Sequence, residues 1–334
     1  MSSNKTENLD DKNKIKTILI IGVSSFVGSS IAEYLKHDFK IVGTYHRNPT
    51  IIEGVVTVPC DVLSKDEVQF VLYAFKPDIT IYCAGLRSIN LCDEYENLAD
   101  AINTSGFFNV NEFCQRYKSQ ICYLSSAHVF DGVDKNNIEM DIPYSNTVYG
   151  KSQAAAEFFL QKTSLNYLVF RCCNLYGLSS TYKAKNYFEK LQKNFNENKS
   201  FTADNLVSIG FLDIYFLAAI LKMSFKKNVS NRLFQLSSKD SITHYEFAKL
   251  FANVFEEDSH LISKGRWKFP IVVQGKKMVS SQEMFYRMDT LNVESFLNID
   301  IPSVKESLEF TFKRLNGVKK TNFQNTETTG VTYI

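Results

Sequence analysis

The sequence lacks an excess of charge of one sign: 38 lysines and arginines face 36 aspartates and glutamates, leaving a formal net charge of +2. No global basic field therefore draws the chain to nucleic acid or to an anionic membrane. The first 14 residues lack the apolar core of a signal peptide and read as a polar, disordered tail, as do residues 318–334. Membrane-spanning runs are missing too. The most apolar later stretch, 206–223, is interrupted by Asp213, and a mid-bilayer aspartate costs ~2.5–3.5 kcal/mol. Asp213 reads instead as the N-cap of a buried helix. The seven cysteines (Cys60, Cys83, Cys92, Cys114, Cys122, Cys172, Cys173) lack metal-ligand spacing, so no metal is expected, and buried reduced thiols fit a cytoplasmic location. Adjacent Cys172 and Cys173 point to opposite faces of a strand, which argues against a redox pair.

What is present is enough apolar sequence, 44% hydrophobic in 334 residues, to bury a sizeable core. From Ile15 to Tyr176 short apolar runs alternate with amphipathic segments. Strands are expected at 18–21, 40–43, 55–58, 79–82, 121–124 and 167–170, with helices at about 27–37, 64–76, 96–117 and 148–163. Several runs are apolar on both faces, as strands covered by helices on both sides must be. The fold class is α/β: a Rossmann-like doubly wound parallel sheet, with a smaller, mostly helical C-terminal lobe packed over its carboxyl edge. The expected division is a dinucleotide-binding domain over 15–176 and a substrate lobe over 177–317, interleaved with it. Neither an internal repeat nor a Pro-rich or Gly-rich linker separates them, so the lobes are expected to associate tightly.

The first strand runs into Gly22-Val23-Ser24-Ser25-Phe26-Val27-Gly28 and a helix. A glycine at such a turn lets backbone approach a pyrophosphate, Gly28 permits close helix packing, and the helix start supplies oriented N–H groups. Ser25 stands where a three-glycine fingerprint has its middle glycine, and its hydroxyl is available as a further donor. After the second strand the chain reads Thr44-Tyr45-His46-Arg47-Asn48, with no carboxylate for the ribose hydroxyls of NAD. Arg47 suits a 2′-phosphate, which favours NADP(H) over NAD(H); a solvated loop arginine is the alternative. Asp61, followed by Val62, is placed to accept from an adenine amino group or to form an Asx turn. Cys83, Ala84 and Gly85 close the fourth strand with small residues that admit a cofactor.

After the fifth strand come Ser125-Ser126-Ala127-His128-Val129-Phe130-Asp131-Gly132 and then Tyr149-Gly150-Lys151-Ser152-Gln153. These segments, with Lys76-Pro77-Asp78-Ile79, Asn103-Thr104-Ser105-Gly106, Arg171, Leu175-Tyr176-Gly177 and Arg287-Met288-Asp289-Thr290, resemble the extended short-chain dehydrogenase/reductase superfamily. The resemblance runs over roughly residues 15–315 and is strongest to the dTDP-4-dehydrorhamnose reductase-like branch. It implies that Ser126 bonds a substrate carbonyl and that Tyr149 donates the proton as hydride arrives. It also implies a lysine four residues after the tyrosine, on the same helical face, bonding the nicotinamide ribose and stabilising the tyrosinate. That residue here is Gln153, able to bond a ribose hydroxyl but uncharged. A unit charge about 4 Å away at an effective dielectric of about 20 is worth ~4 kcal/mol. Its loss is expected to slow proton transfer, on the ~10²–10⁴ scale of general acid catalysis. Lys151 lies about 200° around a helix from Tyr149 and does not compensate.

His128 stands near the substrate pocket, as a surrogate proton donor or as a structural imidazole. Asn174, Lys185 and Asn186 are further substrate candidates; Lys185 suits a diphosphate, or belongs to a solvated helix face. The resemblance implies an NAD(P)-dependent reductase of a nucleotide-activated keto-deoxysugar, serving carbohydrate biosynthesis. A non-catalytic NADP-binding regulatory subunit, similar to the methionine adenosyltransferase beta subunit, is the alternative that Gln153 motivates. A sugar-nucleotide epimerase or dehydratase is another, one for which a retained NAD would be the sign. A homodimer or a hetero-complex is expected, with the helices at 96–117 and 148–163 as the dimer surface.

Overall fold

The computed structural model describes residues 15–133, 136–179, 186–317 and 332–333. Seven strands form one parallel sheet: β1 (Thr17–Ile21), β2 (Lys40–Tyr45), β3 (Val56–Pro59), β4 (Ile79–Tyr82), β5 (Gln120–Ser126), β6 (Tyr167–Cys172) and β7 (Arg232–Leu236). Their order is β7-β6-β5-β4-β1-β2-β3. All six strands expected from the sequence are present. The chain reverses its winding direction at β1 and β4, and that reversal opens a crevice beyond their carboxyl ends.

Alternation along each strand divides the core into two layers. Ile18 and Ile20 enter one apolar cluster with the helices Phe26–Leu35 and Ile214–Lys226; Leu19 and Ile21 enter the other, beside Lys65–Phe75, Phe107–Arg116 and Val148–Thr163. All seven cysteines are buried free thiols, and burial pushes Cys173 up to about 12, far from thiolate reactivity. Asp213 caps the helix Ile214–Lys226 as expected, accepting from Tyr215 N at 2.8 Å, and its other oxygen binds Thr311 and Arg314 at 2.6 and 2.7 Å.

Two features differ from the sequence pattern. β7 comes from beyond residue 177 and completes the sheet at its edge, beside β6. The single helix expected over 96–117 is broken into Glu96–Asp100, a π-helical turn Ala101–Gly106, and Phe107–Arg116. Side-chain chemistry accounts for the break: the Asn103 amide accepts from Leu86 N at 2.8 Å and donates to Leu86 O and Ser152 Oγ, both at 3.0 Å. A regular helix would turn that amide away from the β4 loop.

The second lobe joins helices Tyr187–Asn196, His244–Phe255 and Val304–Leu315 to short strands, including the hairpin Phe269–Val273 and Lys276–Ser280. Lys277 ties that hairpin to the first lobe through Glu96 at 3.2 Å. The N-terminal tail lies outside the described residues, as does the C-terminal one except for Thr332–Tyr333, which pair in parallel with Ile299–Asp300. Among the described residues no helix is long and apolar enough to cross a membrane.

Candidate active site

The turn after β1 is shaped by its own backbone. Gly22 has φ +87°, and a Cβ there would lie 2.7 Å from Ala84 N; one on Gly28 would lie 2.4 Å from Gly22 O. Both positions demand glycine, and the cradle is concave because side chains are excluded from it. Ser25 caps the helix: its Oγ accepts from Gly28 N at 3.0 Å and donates to Gly22 O at 2.8 Å. The serine proton is thus engaged within the turn, and the extra phosphate donor expected of Ser25 is directed to Gly22 instead. The N–H groups of Phe26 and Val27 begin the helix and have no intrahelical acceptor, the arrangement that binds anions.

Around this cradle, Arg47 is exposed just beyond the end of β2. Asp61 closes an Asx turn, accepting from Leu63 N at 3.0 Å, and its second oxygen stands 3.7 Å from His46 Nε2. Val62 packs into the space left by Gly106, where a Cβ would meet its methyl at 2.6 Å. Cys83 is buried, and Gly85 at φ +153° leaves room for Arg87 Nε and Asn103 Oδ1, each 2.9 Å from where its Cβ would be. The small residues expected to admit a cofactor therefore also admit neighbouring protein atoms.

Ser126 ends β5, and its Oγ accepts from His128 N at 3.2 Å, leaving the hydroxyl proton for another acceptor. Tyr149 lies in the first turn of the helix Val148–Thr163, which Thr147 caps through Gly150 N at 2.9 Å. A Cβ on Gly150 would lie 1.8 Å from His128 O, so glycine lets this helix rest directly on the turn that follows Ser126. One turn on, Gln153 is buried, and its Oε1 accepts from the Tyr123 hydroxyl at 3.0 Å. Lys151 is exposed on another face of the same helix.

Three groups had no site role in the sequence reading, although Asn103 and Arg171 were among the residues that carry the resemblance. Arg87 borders the crevice as an exposed residue: it donates to Leu124 O at 3.1 Å and Ala84 O at 3.2 Å, and its loop is fastened to the Tyr149 helix by Asn103, which donates to Ser152 Oγ, itself bonded to Tyr149 O. Desolvation alone would lower its pKa, but the hydroxyls of Tyr149 and Tyr123 and the Cys83 thiol hold it above the usual arginine value. Asn103 is the second, fixing the β4 loop that carries Arg87. Beneath both, Arg171 forms a buried two-pronged pair with Glu157, the closest contact 2.9 Å, and Glu157 also accepts from Ser125. Arg87, two residues after the glycine that ends the β4 segment, was visible as a cation beside the site; the other two are brought in by tertiary packing.

His128 is buried against the rings of Tyr286, Phe269 and Tyr149, with centroids 4.4, 6.0 and 6.1 Å away, and its Nδ1 has no partner. Burial, with a smaller push from His244, lowers its pKa to about 3. A neutral imidazole holds no readily donated acid proton near pH 7, which favours the structural one of its two expected roles. Asn174 lies 3.5 Å from His244 Nε2, and the His244 ring stands edge-on to Trp267 with centroids 6.4 Å apart. Asn186, by contrast, caps the helix Tyr187–Asn196 and donates to Gly177 O at 2.8 Å, so its amide is engaged in shaping the chain. Lys185 lies outside the described residues.

Comparison with known proteins places these features in context. The family model described as RmlD substrate binding domain matches residues 16–315. The methionine adenosyltransferase 2 subunit beta of Bos taurus is 24% identical over 253 residues, 74% of each chain. A dTDP-4-dehydrorhamnose reductase of Aggregatibacter actinomycetemcomitans is 28% identical over 161 residues, covering 48% of this chain and 52% of that one. Among solved structures, the dTDP-4-dehydrorhamnose reductase of Bacillus anthracis, in complex with NADP, superposes with a TM-score of 0.76 at 18% identity, covering 90% of this chain and 100% of that one.

Proposed function

Because this chain belongs to the RmlD substrate binding domain family, we propose that it is an NADP(H)-dependent reductase of the keto group of a nucleotide-activated deoxysugar. The observation that carries the reading is the seating of Gly150 on the His128 carbonyl, which joins the Tyr149 helix to the end of β5 that bears Ser126. The glycine cradle at Gly22 and Gly28 and the start of the Phe26–Leu35 helix fit a pyrophosphate, and Arg47 provides for a 2′-phosphate. A bound reduced nicotinamide supplies the hydride.

The protein's own part is to polarise and protonate. Ser126 Oγ, accepting from His128 N, directs its proton to the substrate carbonyl oxygen. Tyr149 donates its phenolic proton to that oxygen as negative charge develops there, giving the alcohol. Gln153 is the ribose ligand. The surface carrying His128, Asn174 and Trp267 receives the sugar, so residues 15–176 hold the dinucleotide and 177–317 most of the substrate surface, with β7 returning to the sheet. The protein acts in the cytoplasm, and the face carrying the stacked Phe108 and Phe159, 3.8 Å apart, is the dimer surface.

The deciding experiment is NADPH oxidation by purified protein with a panel of nucleotide 4-ketosugars. Turnover abolished by Tyr149→Phe is expected; no turnover with any of them, combined with gain of activity in Gln153→Lys, overturns the reading. A second reading, a non-catalytic cofactor-binding subunit, is favoured by the uncharged Gln153 and by the similarity to methionine adenosyltransferase 2 subunit beta. It expects tight NADPH binding without turnover and co-elution with a methionine adenosyltransferase catalytic subunit.

A further inference from the structure

The reductase chemistry calls for a positive charge beside Tyr149, and the residue four positions on is an amide. Among the described residues, several cations near the site are otherwise occupied. Lys151 is exposed on a different helix face, Arg171 is paired with Glu157, and His128 is neutral at pH 7. Arg87 differs from all three. Its two terminal nitrogens are held by Leu124 O in β5 and Ala84 O just after β4. The Asn103 that clamps its loop also donates to Ser152 Oγ, which bonds Tyr149 O, so the guanidinium is placed beside the Tyr149 helix, where it interacts electrostatically with the Tyr149 hydroxyl. The loop is built around it: Gly85 lacks a Cβ where one would lie 2.9 Å from Arg87 Nε, and Asn103 clamps Leu86 on both its N–H and its carbonyl.

We propose that Arg87 supplies from the β4 loop the positive charge that a lysine at position 153 would otherwise supply from the helix, stabilising the Tyr149 phenolate as its proton leaves. This inference rests on the reductase reading and goes beyond it. The O–H bond of Tyr149 breaks, its proton passes to the carbonyl oxygen of the substrate, and the phenolate left behind faces the guanidinium until solvent returns a proton. Arginine suits the task because it stays protonated throughout and offers several donors in a fixed plane. With the charge supplied from outside the helix, position 153 is relieved of it, and a neutral glutamine anchored by Tyr123 becomes tolerable there.

The test compares wild type, Arg87→Gln, Arg87→Lys, and Arg87→Gln combined with Gln153→Lys, each verified as folded by thermal melting. NADPH oxidation with dTDP-4-dehydrorhamnose is followed from about pH 6 to about pH 10. Arg87→Gln is expected to lose about 100-fold in kcat with KM little changed, and its rate profile to move to the alkaline side by about one pH unit or more. Arg87→Lys is expected to retain most of the rate, and Gln153→Lys to restore at least ~10-fold to Arg87→Gln. A full rate and an unmoved profile in Arg87→Gln overturn the inference, as does failure of both lysines to rescue.

Absence of turnover in wild type defeats the reductase reading, and a separate measurement then decides on Arg87. The tyrosinate absorbance that depends on Tyr149, isolated by difference from Tyr149→Phe, is titrated in wild type and in Arg87→Gln. An alkaline shift in the variant is expected, because removing a neighbouring cation disfavours the phenolate. Coincident titrations overturn the inference whether or not the protein is an enzyme.

Discussion

The Tyr123 hydroxyl donates to the Gln153 side-chain oxygen at 3.0 Å, and both residues are about 99% buried. The bond ties β5 to the helix that carries Tyr149 and fixes which way the Gln153 amide faces. Replacing Gln153 by lysine keeps a partner for the tyrosine, which can accept as well as donate, but buries an ammonium beside Tyr123, whose electrostatic neighbours include the Arg87 guanidinium. Like charges and burial both lower a lysine pKa. A base whose folded pKa is lowered binds fewer protons in the native than in the unfolded state, so its penalty is complete below the folded value and fades as pH rises towards the unfolded one. Gln153→Lys is expected to lower stability by roughly 1–3 kcal/mol near neutrality and by less near about pH 9 to 10. Urea denaturation at the two pH values checks this; an equal loss at both would mean that the lysine is not pressed by a neighbouring cation.

The Arg171–Glu157 pair lies directly beneath the site, with side chains 2% and 1% exposed. The Arg171 guanidinium also lies over the Phe130 ring, 5.1 Å from its centroid. Glu157→Gln leaves a buried guanidinium without its counter-charge and is expected to cost ~3–5 kcal/mol in urea unfolding. Replacing both residues by methionine removes the charge together with its partner and is expected to recover most of that loss. If the double variant is no better than the single one, the pair contributes specific geometry rather than charge balance.

The sheet was legible because its signal is local: Ile18-Leu19-Ile20-Ile21 is apolar on both faces, and Ile79-Thr80-Ile81-Tyr82 gave β4 to the residue. The helix over 148–163 was equally plain, opened by Thr147 and carrying Tyr149 at its start. What stayed hidden depends on contacts distant in sequence. The π-helical turn at Ala101–Gly106 follows from an Asn103 bond to Leu86, 17 residues away, which no periodicity reports. Arg87 looks like any loop arginine until β4 and β5 are placed side by side, because its partners are the carbonyls of Leu124 in β5 and of Ala84 just beyond β4. Asn186 failed to stand out as a helix cap because its capping partner, Glu189, reads equally well as a solvated helix residue.

On the proposed reading, Arg47 and Gly22 separate cofactor choice from cofactor binding. Arg47 is exposed beyond β2, where that reading puts a 2′-phosphate, and a charge-assisted bond to such a group is worth ~1.5–3 kcal/mol. Arg47→Ala is therefore expected to weaken NADPH binding by about 10- to 100-fold while leaving NADH unchanged. Gly22→Ala forces a side chain into φ +87° and against Ala84 N, and both cofactors are expected to be lost together. Fluorescence titration of the two reduced nucleotides distinguishes these outcomes; equal weakening of NADH and NADPH by Arg47→Ala would assign that arginine to the shared part of the cofactor.

His128, after β5, and His244, at the start of the helix His244–Phe255, place an acid limit on stability. Burial lowers His128 to about 3 and His244 to about 4, against an ordinary value of 6.5. Each group binds a proton more readily in the unfolded chain, so the stability that it contributes is complete above about pH 6.5 and declines as pH falls towards the folded values. A fully developed difference of one proton per histidine gives a slope of ~1.4 kcal/mol per pH unit for each. Urea midpoints are expected to fall between about pH 7 and about pH 5, and His128→Phe, which matches the surrounding rings, is expected to remove up to half of that slope. Because Phe also leaves no orphaned nitrogen among Tyr286, Phe269 and Tyr149, the variant should be at least as stable as wild type near about pH 5. An unchanged slope would show that the His128 ring reaches water when it takes up a proton, through a local opening of its packing against Phe269, Tyr286 and Tyr149 that precedes global unfolding.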